Sequence, residues 1–313
     1  MKFTAFVSAA VLAVSPSLIA HGTPVAQITP PAGYPAVGGK PVVVLVAPGT
    51  NPQRPFRQIP KPGTTEHMEM TMSMAMAMEI AGMQPPIPAM PSIVLGCDMV
   101  SGAVSPTGDV TVAITFTGAK TDGASAPPEF DAVLQKMNQD MKDMHGSVTI
   151  NKAGDVIAQD FAFPPSANPM GGDPSTAFAD SLKSMTPPWP DGMIGVGGRW
   201  EVRKTTSTGG MVLFEKSVYE ITAIDDDSVS LRTTGEQTMP PQKIASAALP
   251  PGAELSMEGA TGVISSTMTM RRDSIVPTSV ATIKTTMHFV MSMNGESQPM
   301  NITMDVGMKI RKP

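Results

Sequence analysis

Residues 67 to 80 read HMEMTMSMAMAMEI, and this stretch decides the fold because its methionines alternate strictly with small or polar residues. A period of two places every second side chain on one face of a β-strand, whereas a helix would spread the same methionines around its whole circumference. The stretch therefore predicts one long, half-buried strand. One face of this strand carries Met68, Met70, Met72, Met74, Met76, Met78 and Ile80.

The end of the chain repeats this alternation on both sides of an Asn-Gly pair at positions 294 and 295. Two alternating runs separated by Asn-Gly are typical of a β-hairpin with a tight turn. The first run places Met287, Phe289, Met291 and Met293 on one face. The second run places Ile302, Met304, Val306, Met308 and Ile310 on one face.

Between these strands the period changes twice. From Glu129 the apolar residues recur at helical spacing as far as Gly146, and a shorter helical pattern follows Asp173 and ends near Met185. The other segments alternate and are separated by turn residues, which is typical of antiparallel hairpins. The predicted class is α+β. We expect a large curved antiparallel sheet, like a half-barrel, with two helices packed on its apolar, methionine-rich face.

The first sixty residues differ from the rest. Residues 1–20 have a short basic start, an apolar run and small residues, which predicts a secretory signal peptide and a secreted or periplasmic protein. Residues 21–62 form a proline-rich leader, in which Val42 to Ala47 is the one run suited to a short edge strand. We expect residues 63–313 to form a single domain without a transmembrane segment.

Composition excludes some classes of function. The formal net charge is −5 and no basic block occurs, so nucleic acid is not an expected partner. The chain has four histidines, and it lacks the local motifs of hydrolases, zinc proteases and phosphate-binding loops. The single cysteine, Cys97, excludes an intrachain disulfide and is expected in the core. We therefore expect no enzymatic activity, no cofactor and no built metal site.

The 27 methionines leave three interpretations open. They fill the core between sheet and helices; or they line an adaptable surface for an apolar, lipid-like ligand; or their thioethers bind copper(I). The specific hypothesis is an apolar ligand. Its candidate contacts are Met68, Met70, Met72, Met74, Met76, Met78, Met287, Phe289, Met291, Met293 and Met304.

A resemblance accompanies these patterns. The segment Gln53-Arg54-Pro55-Phe56-Arg57, the methionine strand, Pro188-Trp189-Pro190 before Val196-Gly197-Gly198-Arg199-Trp200, and the closing hairpin together resemble a secreted bacterial family of unknown function from the cell envelope. The resemblance covers about residues 42 to 311, and it implies compartment and single-domain architecture but no catalytic residues. More loosely, the chain is similar to the periplasmic lipoprotein carriers with a half-barrel fold.

Overall fold

The computed structural model describes residues 28–53, 56, 58–122, 128–151, 156–162, 187–208, 211–244, 253–293 and 296–313. The described residues form thirteen strands and one helix, α1, which spans Pro128–Lys142. The strands are β1 (Val42–Ala47), β2 (Thr65–Ile80), β3 (Ile93–Val104), β4 (Val110–Thr121), β5 (His145–Ile150), β6 (Val156–Ala162), β7 (Arg199–Thr208), β8 (Met211–Ile224), β9 (Ser228–Met239), β10 (Gln242–Ile244), β11 (Ala253–Arg271), β12 (Thr278–Met293) and β13 (Glu296–Arg311). The predicted signal peptide and the helix predicted after Asp173 lie outside the described residues.

All thirteen strands belong to one antiparallel sheet. Its order is β1-β7-β8-β9-β11-β12-β13-β2-β3-β4-β5-β6, and β10 pairs with β11 beside this path. The prediction of a large antiparallel sheet is therefore confirmed. The sheet is open, with β1 at one edge and β6 at the other. The methionine strand β2 and the closing hairpin β12–β13 are neighbours near its middle.

The predicted pair of helices over the methionines is not confirmed. The described residues contain one helix, and α1 packs against β4 rather than against β2 or the closing hairpin. Asn138 fixes it there: its side-chain amide donates to the Ala119 carbonyl at 2.8 Å, and its Oδ1 accepts from the Ala119 N–H at 2.6 Å. Since α1 connects β4 to its neighbour β5, short connections keep the helix beside these strands. The helical period predicted the element but not the surface on which it docks.

Buried apolar residues form three clusters. The Cys97 cluster joins β2, β3, β4, β5 and β13, and comprises Met68, Cys97, Met99, Val110, Val112, Ile114, Val148, Val276 and Ile310. The Trp200 cluster lies near β1 and comprises Phe56, Ile194, Trp200, Val202, Ile221, Val229, Leu231 and Met270. The Met287 cluster lies at the other ends of β2, β12 and β13, and comprises Met78, Met257, Ala260, Met287, Phe289, Met300 and Ile302. The core therefore consists of three separate clusters at different positions on the sheet.

No helix among the described residues is long and apolar enough to cross a membrane.

Candidate functional site

The methionines of β2 lie on the side of the sheet that we call the front face. This face carries Met74 and the side chains opposite it on successive strands, namely Val306, Ile283 and Ile264. The other side, the back face, carries exposed polar residues such as Ser73 at the same level. Alternation therefore separates the two faces as the sequence predicts for a strand.

The candidate ligand contacts fall into three groups. Met68 and Met70 belong to or pack on the Cys97 cluster. A second group, Met76, Met78, Met287, Phe289 and Met304, belongs to or packs on the Met287 cluster. The remaining four, Met72, Met74, Met291 and Met293, belong to none of the three clusters. The strand is therefore buried at its two ends and more open in its middle.

The middle of the front face forms what we call the central band, two adjacent rows of side chains that cross five strands. One row contains Thr233, Ser266, Ala281, Met308 and Met72. The other row contains Gly235, Ile264, Ile283, Val306 and Met74. At a strand spacing of about 4.8 Å, each row is about 19 Å long.

The apolar side chains of the central band are only partly covered. Met72 is 39% exposed, and Met74, Val306 and Met308 are half-buried. Covering apolar surface of this kind with a further apolar group is favourable, because it removes that surface from water. The band lies between the Cys97 cluster and the Met287 cluster, so its position is set by two packed regions.

A buried carboxylate borders the band on the β8 and β9 side. Glu215 accepts hydrogen bonds from Ser217 Oγ and Lys204 Nζ at Oε1, both at 3.0 Å, and from Gln237 Nε2 at Oε2, also at 3.0 Å. Each oxygen of the buried charge is thus paired, as burial requires. In the row beside the Met74 row, the front face therefore changes from polar to small to apolar side chains, in the order Glu215, Gln237, Gly262, Thr285, Met304 and Met76.

Two glycines make room for these polar side chains. A Cβ at position 235 would lie 2.7 Å from Ser217 Oγ, and a Cβ at position 262 would lie 3.0 Å from Thr285 Oγ1. A side chain at Gly235 would displace the Ser217 hydroxyl that donates to Glu215, and a side chain at Gly262 would displace the Thr285 hydroxyl. Because glycine has no side chain, the backbone itself forms the surface of the front face between its polar and apolar sides.

A second buried carboxylate fixes the other end of the front face. Glu66 Oε2 accepts from Ser274 Oγ at 2.9 Å and from the N–H groups of Ile275 and Val276 at 3.0 Å. Its Oε1 lies 3.1 Å from Lys312 Nζ. Glu66 therefore binds the β11–β12 connection to β2, next to the Cys97 cluster.

Titratable groups near these features include a buried thiol and an exposed histidine–aspartate pair. Burial raises the pKa of the Cys97 thiol to about 12, so the neutral thiol is a core group. His67 Nδ1 lies 2.5 Å from Asp98 Oδ1 in an exposed pair on the back face. Among the described residues, no three His, Cys, Asp or Glu side chains are grouped to hold a metal ion.

The polar side chains around Glu215, which we call the polar border, could not be identified from the sequence. Lys204, Glu215, Ser217 and Gln237 come from three strands, and no local spacing links them. Only the cross-strand register, which pairs Lys204 with Glu215 and Glu215 with Gln237, brings them together. The exposure of the middle of β2 could not be predicted either, because alternation shows which residues share a face but not how deeply each one is buried.

The geometry defines an open antiparallel sheet protein with a partly covered apolar band on one face. No family model matches the sequence, and no curated protein matches it significantly. A solved structure titled "Asymmetric conductivity of engineered proteins" is similar over 78% of this chain and 99% of its own length, with 6% identity and a TM-score of 0.16. A likeness at that score carries no argument about fold or function.

Proposed function

We propose that this chain is a non-enzymatic binding protein of the cell envelope that holds an apolar, lipid-like ligand on the central band. The observation that carries the proposal is the half-exposed apolar surface of Met72, Met74, Val306 and Met308 between two packed clusters. Methionine suits this use because its unbranched, polarizable side chain adapts to apolar partners of different shape.

The polar border favours an amphiphile over a plain hydrocarbon. The band runs from the polar side of Thr233 and Gly235 to the methionines of β13 and β2. A ligand lying along the rows would place its apolar part on Met72 and Met74 and its polar end toward the Glu215 and Lys204 side. Pockets for such molecules are mainly apolar, with a few polar groups that fix the orientation.

The test is native mass spectrometry with lipid extraction, on protein purified without detergent, followed by titration with a fluorescent fatty-acid analogue. The proposal expects a co-purifying acyl species and saturable probe binding. Met74→Lys should weaken probe binding by about tenfold or more, because a charge would be buried under the apolar chain. Ala75→Lys is the matched control, since Ala75 is the next residue along β2 and lies exposed on the back face.

The same experiment separates the other two interpretations of the methionines. A clean apo mass and no probe binding would overturn the proposal and leave the methionines as packing. Bound copper(I) that is lost when Met70, Met72 and Met74 are changed to leucine would favour thioether coordination instead. Leucine has nearly the volume of methionine, so a lipid site should tolerate those three changes.

A further inference from the structure

The edge strand β1 has an unusual composition for a strand with no neighbour on one side. It reads Val-Val-Val-Leu-Val-Ala, and within the described part of the chain it pairs only with β7. Val44 is 47% exposed, Leu45 is 42% exposed and Val46 is 58% exposed. An exposed apolar strand with free backbone N–H and C=O groups is a template for pairing with another strand.

Proteins usually protect such edges with charges, prolines or bulges. The opposite edge, β6, carries the exposed charge of Asp160 within the strand. β1 carries no charge, and its prolines, Pro41 and Pro48, stand outside it. Its pairing with β7 shifts register between Leu45 and Ala47, so Val42 to Leu45 is the regular part of the free edge.

We propose that β1 pairs antiparallel with β1 of a second copy of this chain. A twofold axis perpendicular to the sheet keeps the back faces of the two copies on the same side. A residue with its side chain on the back face therefore pairs with another back-face residue, so even-numbered residues pair with even-numbered ones. In the register that places Val44 opposite Val44, Val42 faces Val46 of the other copy. Because the strand has no charged residue, this pairing opposes no like charges.

The neighbouring strand is compatible with this contact. Three charged residues of β7 lie beside β1: Arg203 beside Val42, Glu201 beside Val44 and Arg199 beside Ala47. Arg203 Nε lies 2.6 Å from Glu201 Oε1, and Lys216 Nζ lies 3.1 Å from Glu201 Oε2. Glu201 is therefore paired with two cations within each copy, and all of these charges lie on β7 or β8 rather than on β1 itself.

The size of the contact sets its strength. Six strand residues span about 20 Å, and two such edges bury less than the roughly 1,000 Å² typical of a stable interface. We therefore expect a weak dimer whose fraction rises with protein concentration. This inference does not rest on the proposed ligand, which lies on the front face toward the middle of the sheet.

Two experiments on the full chain test the pairing. In sedimentation velocity at increasing concentration, the native chain should shift from monomer to dimer, and Val44→Lys should weaken self-association by about tenfold or more. Val280→Lys is the matched control, because Val280 is 49% exposed on the back face of β12, away from either edge. A native chain that stays monomeric, or a dimer that survives Val44→Lys, would overturn the inference.

Engineered cysteines test the register. Two registers keep the back faces on the same side and pair the largest number of β1 residues. One places Val44 opposite Val44, and the other places Leu45 opposite Leu45. One of the variants Val44→Cys and Leu45→Cys should therefore form a covalent dimer under mild oxidation, since facing Cα atoms in antiparallel strands lie within disulfide reach. Native Cys97 does not interfere, because it is buried and the pKa of its thiol is raised to about 12. Covalent dimer from neither variant, or equally from Val280→Cys, would contradict the pairing.

Discussion

Glu66 offers the sharpest test of what holds the sheet to its connections. Its buried carboxylate accepts three hydrogen bonds from the β11–β12 connection and pairs with Lys312. Two of the donors are the backbone N–H groups of Ile275 and Val276. Glu66→Leu removes the acceptor and places an apolar side chain of similar size at the same position.

The expected cost follows from those donors. Each buried donor left without a partner costs about 1 to 3 kcal/mol, and Ser274 can turn its hydroxyl to the Val276 carbonyl, to which it also donates at 3.1 Å. Two orphaned N–H groups therefore predict a loss of about 2 to 6 kcal/mol in the free energy of unfolding. The Lys312 pair adds little, because the Lys312 side chain is 41% exposed and its charge is screened by water.

Urea denaturation followed by tryptophan fluorescence measures this loss. Glu66→Gln should cost less than Glu66→Leu, because the amide oxygen still accepts from the connection while the charge is lost. Glu69→Gln is the control on the same strand: Glu69 pairs with Lys120 and Arg311, whose side chains are exposed, and is expected to change stability by about 1 kcal/mol or less. A loss below about 1 kcal/mol for Glu66→Leu would refute the reasoning.

Three further outcomes are expected. Trp200→Ala should lower the free energy of unfolding by about 3 to 5 kcal/mol because the ring is fully buried, and an unchanged melting temperature would contradict this. The Cys97 thiol should resist a disulfide reagent at about pH 8 until the protein unfolds, since burial raises its pKa to about 12; rapid labelling of native protein would exclude this. Hydrogen bonds from Lys120 and then Arg311 lower the pKa of Glu69 below 4.5, so the stability it contributes is present above pH 4.5 and lost as pH falls through the lowered value. Thermal melts against pH should therefore show a smaller acid loss for Glu69→Gln, and superimposable curves would exclude the contribution.

Periodicity predicted the elements well because it reports a local geometric fact. Alternation from Met68 to Ile80 corresponds to β2, and the two runs around the Asn-Gly pair correspond to β12 and β13. Each of these inferences uses residues that are close in sequence.

What sequence could not predict depends on neighbours that are distant along the chain. Lys204, Glu215 and Gln237 become a polar border only through the register of β7, β8 and β9. Glu66 has the same alternation as Met68 and so belongs to the apolar face by pattern, yet it is buried because the β11–β12 connection supplies its donors. Strand order, rather than residue type, decides both cases.

The choice of methionine on the central band carries its own physical argument. β-branched residues fit a pleated sheet better than methionine and fill a fixed core with fewer rotamers to restrict, so packing alone would favour valine or isoleucine. Ile264, Ile283 and Val306 are half-buried like Met74 and Met308, so burial alone does not explain why the β2 end of the band uses methionine. An unbranched side chain at an incompletely covered position keeps its freedom to adjust, at a cost in strand propensity. That cost is compensated if the surface must fit a second molecule, which is why the middle of the front face, rather than either buried cluster, is where the proposed ligand should be sought.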